Sequence, residues 1–288
     1  MASPSLLAAA RARLTLPVVR RAAKALEGMH PTVGAERGFD FDQIAPYQPG
    51  QDVSMIDWAA TARAGEPMSR RFLATTAAPL ILIADTGREM AAIAPAGSPK
   101  SEIVLEAAQI LGYLAALRSD PLGLLMGDAG RERYLPPRAG NANAEVVLRA
   151  LAQQFSPLSP GQNLAGVLGR AEVLVRRPSI LVVLTDVPQA GMGVEQLRRL
   201  RIRHRVLVLM ADDPDPAGLT DRDIVDMEGG VLDPYVLADR RVAEAARHQA
   251  MQRRSYALST LSGLGIPHQR VESPDGVVDA LSELLRAG

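Results

Sequence analysis

The chain has 288 residues, of which 47% are hydrophobic and 22% charged, an ordinary composition for a globular protein with a sizeable core. Basic and acidic residues balance at 32 each, so net charge gives no argument for nucleic acid or an anionic membrane as a partner. The absence of Cys excludes disulfides, thiolate metal sites and cysteine nucleophiles, and it fits a reducing cytoplasm. The longest apolar runs are far below the roughly 20 residues that cross a bilayer, so we expect a cytoplasmic protein without a membrane span.

The N-terminal segment is basic, with no acid before Glu27. Both targeting segments and amphipathic helices have this property. No uninterrupted apolar core with a cleavage site is present, so the pattern favours an amphipathic helix or helix pair, broken near Pro17. Its basic residues are spread throughout: Arg11, Arg13, Arg20, Arg21 and Lys24.

Residues 30–72 form an aromatic stretch that holds five of the ten aromatic residues of the chain. Frequent Gly and Pro predict short strands and turns rather than long helices. We expect this segment to be a small layer that holds the N-terminal helix against the following domain. If Trp58 is buried in it, Trp58→Ala should cost about 3 to 5 kcal/mol of stability; a loss of partner binding at unchanged stability would instead indicate a recognition role. A domain boundary is predicted between residues 1–76 and 77–288.

From Pro79 onward, apolar runs alternate with segments of helical periodicity. This pattern predicts an α/β fold with a doubly wound, mostly parallel sheet. One helix should have Ser98 as its N-cap and Pro99 at its first position. The predicted strands are 80–84, 122–127, 132–135, 179–187, 204–212, 224–228 and 266–272, and the predicted helices are 100–117, 144–155, 164–175, 194–200, 235–264 and 276–285.

Two of the apolar strands end in an acid, Asp85 in one and Asp186 in the other. The carboxyl ends of parallel strands meet at one edge of a sheet, where ligands of such folds bind. Two carboxylates converging there are suited to a hard cation such as Mg²⁺. The acids at 212, 213 and 215 follow another strand and are weaker candidates for the same rim.

The segments LILIADTGREM, PGQNL and LVVLTDV are similar to a von Willebrand factor A domain, whose metal-ion-dependent adhesion site uses Asp-x-Ser-x-Ser, a Thr and a second Asp. The upstream stretch ERGFDFDQIAPYQPGQDVSMIDWAATARAGEPMSRRF resembles the signature of the DUF58 family. The residues that carry this resemblance are Arg37, Gly38, Phe41, Tyr47, Gly50, Asp52, Ile56, Asp57, Trp58 and Arg63.

The chain departs from the von Willebrand pattern at every hydroxyl position. The resemblance maps the two acids to Asp85 and Asp186, the two Ser to Gly87 and Glu89, and the Thr to Gln162. One interpretation is a degenerate, metal-free rim in which Arg88 or another base neutralises the acids. The other is an occupied site, in which the carboxyl and amide oxygens hold a cation in a different geometry.

Catalytic motifs are absent from the sequence. GSPKS at 97–101 lacks the glycines of a phosphate-binding loop, and no G-x-S-x-G elbow occurs. The four His have no metal-ligand spacing. Asp57 and Arg63 suit a buried ion pair or a hydrogen-bonded clamp better than catalysis, and a contact with a partner is the alternative. We therefore expect a non-enzymatic binding protein.

The family resemblance implies a function. DUF58 proteins are thought to work with MoxR-type AAA+ ATPases in the chaperone-like maturation of client proteins, including metal or cofactor insertion. The first hypothesis is an adaptor between such an ATPase and its client, without a cofactor of its own. Its interaction rim would consist of Asp85, Gly87, Glu89, Gln162 and Asp186. The alternative is an adhesion or sensing module that depends on Mg²⁺, Mn²⁺ or Ca²⁺ and acts without an ATPase.

Overall fold

The computed structural model describes residues 5–8, 40–47, 56–73, 78–187, 191–215, 225–226, 230–231 and 240–287. Internal contacts divide the chain into two compact units, one of residues 1–29 with 78–288 and one of residues 30–77. The predicted boundary between residues 76 and 77 stays a prediction.

The smaller unit contains a hairpin-like pair of strands and one short helix. Strand β1 (Asp40–Pro46) pairs antiparallel with β2 (Met68–Leu73), and helix α1 (Trp58–Ala64) lies between them in sequence. The Asp57 carboxylate accepts hydrogen bonds from the backbone N–H groups of Ala59 and Ala60, so it caps the first turn. The helix stops at Gly65, whose φ of 75° belongs to the left-handed region that glycine adopts without strain.

The larger unit is built on a six-stranded sheet. Its strands are β3 (Leu80–Asp85), β4 (Leu122–Gly127), β5 (Glu132–Arg138), β6 (Ile180–Asp186), β7 (Arg205–Ala211) and β10 (His268–Val271). They lie in the order β10-β7-β6-β3-β4-β5, and all pairings are parallel except that of the edge strand β5, which is antiparallel to β4. This order is that of a doubly wound Rossmann-type fold, so the predicted α/β architecture is confirmed.

Two short strands lie outside this sheet. β8 (Val225–Asp226) pairs only with β9 (Gly230–Val231) among the described strands. The predicted edge strand at 224–228 is therefore a small separate hairpin.

Helices cover both faces of the sheet, which explains why its central strands are continuous apolar runs. These helices are α2 (Lys100–Arg118), α3 (Asn141–Ala152), α4 (Leu164–Leu174), α5 (Val194–Arg203), α6 (Arg240–Gly263) and α7 (Val277–Ala287). Alternate residues of β3 point to opposite faces: Leu82 joins one apolar cluster and Ile83 the other. The first cluster includes residues of α2, α3 and α7, and the second includes residues of α4, α5 and the C-terminal part of α6.

The start of α2 differs from the prediction by one residue. Pro99, rather than Ser98, is in the capping position, and Lys100 is the first helical residue. Pro99 forms an isolated antiparallel bridge with Ile93, which keeps its backbone extended at ψ 141°. The helix thus begins with a lysine, at the end of the sheet where the acidic residues lie.

Among the described helices, none is long and apolar enough to cross a membrane. The predicted N-terminal helix lies almost entirely outside the described residues, apart from the helical residues 6–8.

Candidate binding site at the carboxyl edge of the sheet

Asp85 is fully buried at the carboxyl end of β3. Its Oδ1 accepts a hydrogen bond of 3.0 Å from the Gly87 backbone N–H, while Oδ2 has no hydrogen-bond partner. Burial raises the pKa of Asp85 to about 7, and the negative charges of Asp186, Glu89 and Asp128 add to the effect. This carboxyl group is therefore half protonated near neutral pH.

Asp186, at the end of the adjacent strand β6, has a different environment. Its Oδ2 accepts a hydrogen bond of 2.9 Å from Nζ of Lys100, and both side chains are buried. The same ammonium forms an ion pair with Oδ1 of Asp213, just beyond β7. Although burial opposes it, the Asp186 and Asp213 charges raise the pKa of Lys100 above its ordinary value, so the amine stays charged.

Glu89 and Gln162 are linked to each other. Oε2 of Glu89 accepts a 3.0 Å hydrogen bond from the backbone N–H of Gln162, and its Oε1 lies 3.5 Å from Nε of Arg88. The side-chain Nε2 of Gln162 is buried without a partner. Glu89 thus fixes the loop that carries Gln162.

The same loop presses against Gly87. A Cβ atom added at Gly87 would lie 2.5 Å from the backbone nitrogen of Gln162, closer than real Cβ contacts. A serine hydroxyl, the ligand that the von Willebrand resemblance implies here, therefore has no room. The backbone and the Cγ atom of Gln162 occupy this part of the rim.

These residues do not fit the divalent cation that the resemblance implies. All three hydroxyl ligands are replaced, the Glu89 carboxylate is engaged by a backbone N–H, and the Lys100 ammonium is bound to Asp186. In the described part of the chain, no group of three or more His, Cys, Asp or Glu side chains is arranged to hold a metal ion. Mg²⁺ needs near-octahedral oxygen ligands at short distance, and this rim does not supply them.

The acidic residues after β7 are also paired with basic side chains. The buried Asp212 carboxylate accepts hydrogen bonds from Arg254 at 2.9 and 3.0 Å and from Arg270 at 2.5 Å. Asp215 pairs with Arg247 of α6. An open cleft of about 360 Å³ lies beside these pairs, and Met251, Arg253 and Arg254 contribute to its walls.

Some of the family-signature residues lie in the part of the chain that the structure describes, and some lie outside it. Arg37, Gly38, Gly50 and Asp52 lie outside the described residues, and Phe41 lies within β1. The backbone N–H of Tyr47 donates to Pro67 at 2.7 Å, and Ile56 bridges to Ser69. Both contacts lie at the end of the strand pair where β1 finishes and β2 begins.

The side chain of Trp58 is 70% exposed, so the condition of burial is not met. The aromatic composition of the stretch by itself favours burial. The Asp57 carboxylate serves as the cap of α1, and Arg63 donates from Nε to the carbonyl of Ala59 at 3.1 Å. The helix is fixed by its cap and its backbone, and it displays the indole on its first turn.

Sequence reasoning missed Lys100 and Asp128. Asp128 follows β4 as Asp85 follows β3, and its Oδ1 accepts hydrogen bonds from the backbone of Gly130 and Arg131. The signal for Asp128 is the same acid after an apolar run. The signal for Lys100 is a cation at the first position of a helix, where the helix dipole disfavours it.

The sheet order, the antiparallel edge strand and the acids at the ends of β3 and β6 define a von Willebrand factor A-like α/β protein. The chain belongs to the DUF58 family: residues 43–256 match the family described as "Protein of unknown function DUF58".

The chain is also similar to proteins from two mycobacteria and to one solved structure. The uncharacterised proteins Mb1516 of Mycobacterium bovis and Rv1480 of Mycobacterium tuberculosis are 30% identical over 275 residues, which cover 91% of this chain and 83% of theirs. A von Willebrand factor type A structure from Catenulispora acidiphila aligns with a TM-score of 0.43 at 10% identity, over 76% of this chain and 43% of that chain. The strand order, rather than this superposition, defines the fold.

Proposed function

We propose that this protein is a non-catalytic adaptor that contacts other proteins through the carboxyl edge of its sheet. The carrying observation is that the acids of this edge are either paired or buried: Lys100 binds Asp186 and Asp213, two arginines bind Asp212, and Asp85 is closed to solvent. A general base or nucleophile has to be free to react, and charges held in such pairs are not. An edge of this kind is suited to contacts with other proteins and not to catalysis.

The cleft beside Asp212 is the contact face of this proposal. It joins charged side chains on its wall, Arg253 and Asp215, to the apolar Met251, which is 61% exposed on α6. Interfaces between proteins combine an apolar centre with a charged rim, and Met and Arg are enriched in them. The α6 surface has this composition.

The partners of the proposal are a MoxR-type AAA+ ATPase and a client protein in the cytoplasm. The support for this part is family membership, together with what the resemblance to DUF58 proteins implies about their association with such ATPases. The adaptor would bring the client to the ATPase for maturation or for metal or cofactor insertion.

The test is binding between this protein and the ATPase encoded next to it, measured by co-purification and by titration calorimetry with and without ATP. We expect a micromolar or tighter complex, and we expect Met251→Glu to weaken it at least tenfold. Ile202→Glu is the matched control, because Ile202 is an exposed apolar residue on α5, away from the cleft. No binding at micromolar concentrations in either nucleotide state contradicts the proposal.

A second candidate function is the divalent-cation-dependent adhesion or sensing module. One observation favours it: Oδ2 of Asp85 is buried without a hydrogen-bond partner, as a metal-ligating oxygen is in the absence of its ion. Under this candidate, Mg²⁺, Mn²⁺ or Ca²⁺ raises the melting temperature of the protein, and Asp85→Ala abolishes the rise. A flat response to all three ions eliminates it.

A further inference from the structure

The Lys100 ammonium lies between the start of one helix and the carboxyl ends of two strands. The lysine is the first residue of α2, and its side chain reaches the end of β6 at Asp186 and the segment after β7 at Asp213. Only 3% of the Lys100 side chain is exposed, whereas the Asp213 side chain is 37% exposed. One buried positive charge therefore binds two carboxylates, one of which is in contact with solvent.

The position of this lysine needs an explanation. The N-terminus of a helix carries a partial positive charge, and a cation there is destabilising. The burial of an ammonium group adds a further cost, because water no longer solvates it. Both costs are offset only by the two carboxylates, so the sheet edge rather than the helix accounts for Lys100.

We propose that the Lys100 ammonium is a built-in replacement for a divalent cation, and that it makes this edge of the sheet independent of metal ions. The amine nitrogen lies 2.9 Å from Oδ2 of Asp186 and within hydrogen-bond contact of Oδ1 of Asp213. Two carboxylate oxygens thus converge on one point, and carboxylate oxygens are the ligands that a hard cation such as Ca²⁺ takes. The side chain fills that point with a charge that cannot dissociate from the chain.

Two surrounding features agree with this assignment. The Gln162 loop closes the rim position at which a serine ligand would lie, with 2.5 Å between its nitrogen and a Cβ at Gly87. The Glu89 carboxylate accepts a hydrogen bond from that loop. Compared with the von Willebrand pattern, the rim therefore lacks the small oxygen ligands and contains a cation that belongs to the chain.

The proposal makes a prediction that an ordinary structural ion pair does not. Removal of the ammonium leaves the Asp186 and Asp213 carboxylates facing an open position, which a divalent cation can fill. We expect Lys100→Met to bind Ca²⁺ or Mn²⁺ at least tenfold more tightly than the wild-type protein does. A lysine that merely stabilises the fold would leave a variant that is unstable and indifferent to these ions.

The experiment is thermal unfolding and titration calorimetry of the full chain in chelator-treated buffer, with 10 mM Mg²⁺, Mn²⁺ or Ca²⁺ added separately. The wild-type protein should respond to none of them. The melting temperature of Lys100→Met should rise with at least one ion, and a second change, Asp186→Asn, should abolish the rise. Arg118→Met is the matched control, since it removes the cation bound to the buried Asp120 carboxylate at the other end of α2.

Three results overturn the proposal: a wild-type response as large as that of Lys100→Met, no response of Lys100→Met to any of the ions, or an equal response of Arg118→Met. Lys100→Gln serves as a second variant if Lys100→Met does not fold. If neither folds in metal-free buffer, refolding in 10 mM Ca²⁺ decides: recovery supports the proposal and failure to recover contradicts it. The outcome does not depend on whether an ATPase binds the protein.

Discussion

The two compact units treat their most distinctive side chains in opposite ways. At the carboxyl edge of the α/β unit, the charged residues are buried and Lys100, Asp186 and Asp212 are paired with one another or with arginines. In the small unit, the single tryptophan of the chain is held out into solvent on a short, capped helix. The contrast teaches that burial marks where the fold depends on a residue, and exposure marks where a residue is free for a partner.

The largest expected effect is the loss of the Lys100 ammonium. Lys100→Met leaves the Asp186 carboxylate buried beside Asp213 without its cation. Breaking a buried ion pair from one side costs about 3 to 5 kcal/mol of unfolding free energy. Urea denaturation in metal-free buffer measures it, and a loss below about 1 kcal/mol would mean that the edge is not a point on which the fold depends.

A second effect, of up to about 4 kcal/mol, has the opposite sign and concerns Asp85. Because burial raises its pKa from 3.8 to about 7, the folded state holds the proton more tightly than the unfolded state does. The contribution of this group to stability is fully present below pH 4 and is lost as the pH rises through 7. Asp85→Asn removes the ionisation, so we expect the variant to be more stable than wild type at pH 8 and close to it at pH 4.

The measurement for Asp85 is the difference between variant and wild type in urea denaturation at both pH values. Because both proteins contain His204, the contribution of this histidine cancels in the difference. Burial and the charge of Arg203 lower the pKa of His204, so its contribution to stability is lost as the pH falls, in the direction opposite to that of Asp85. Asp186→Asn is the matched control at the next strand. It should destabilise the protein at both pH values because it breaks the contact with Lys100.

A smaller loss of stability is expected when Gly87 is replaced by the serine of the von Willebrand pattern. The backbone there has φ −61° and ψ 160°, which any residue adopts, so the obstacle is steric only. The added Cβ would lie 2.5 Å from the Gln162 nitrogen and would displace that loop, at a cost of about 1 to 3 kcal/mol. Gly169→Ser in α4 is the control, because no atom lies within 4 Å of its added Cβ. Equal stability of the two variants contradicts the tight packing of the rim.

The fold could be predicted from the sequence because its signals are local. A strand covered on both faces has to be a continuous apolar run, and the predicted strands at 80–84 and 122–127 agree with β3 and β4 within one residue. The acids at the strand ends follow from the same runs. The partner of Asp186 could not be predicted, because Lys100 is 86 residues away and meets it only through the packing of α2 on the sheet.

Trp58 illustrates the other limit of sequence reasoning. Aromatic residues contribute large buried areas, and this favours burial wherever they cluster. Asp57 overrides that tendency: it caps α1 with hydrogen bonds of 3.0 Å to Ala59 and Ala60, and the capped turn places the indole outward. Local hydrogen bonding, rather than apolar area, sets its direction.

The smallest expected effect on stability is therefore that of Trp58→Ala. A side chain that is 70% exposed has little buried area to lose, so we expect a change within about 0.5 kcal/mol. Asp57→Ala is the matched comparison, because loss of the cap should cost about 1 kcal/mol at the neighbouring position.

Exposed tryptophans are frequent centres of protein interfaces, so the same Trp58→Ala protein should bind the ATPase or its client more weakly if the small unit takes part in recognition. A loss of several kcal/mol in urea denaturation would erase the contrast between the two units, whereas unchanged stability with weakened binding would identify Trp58 as a contact residue.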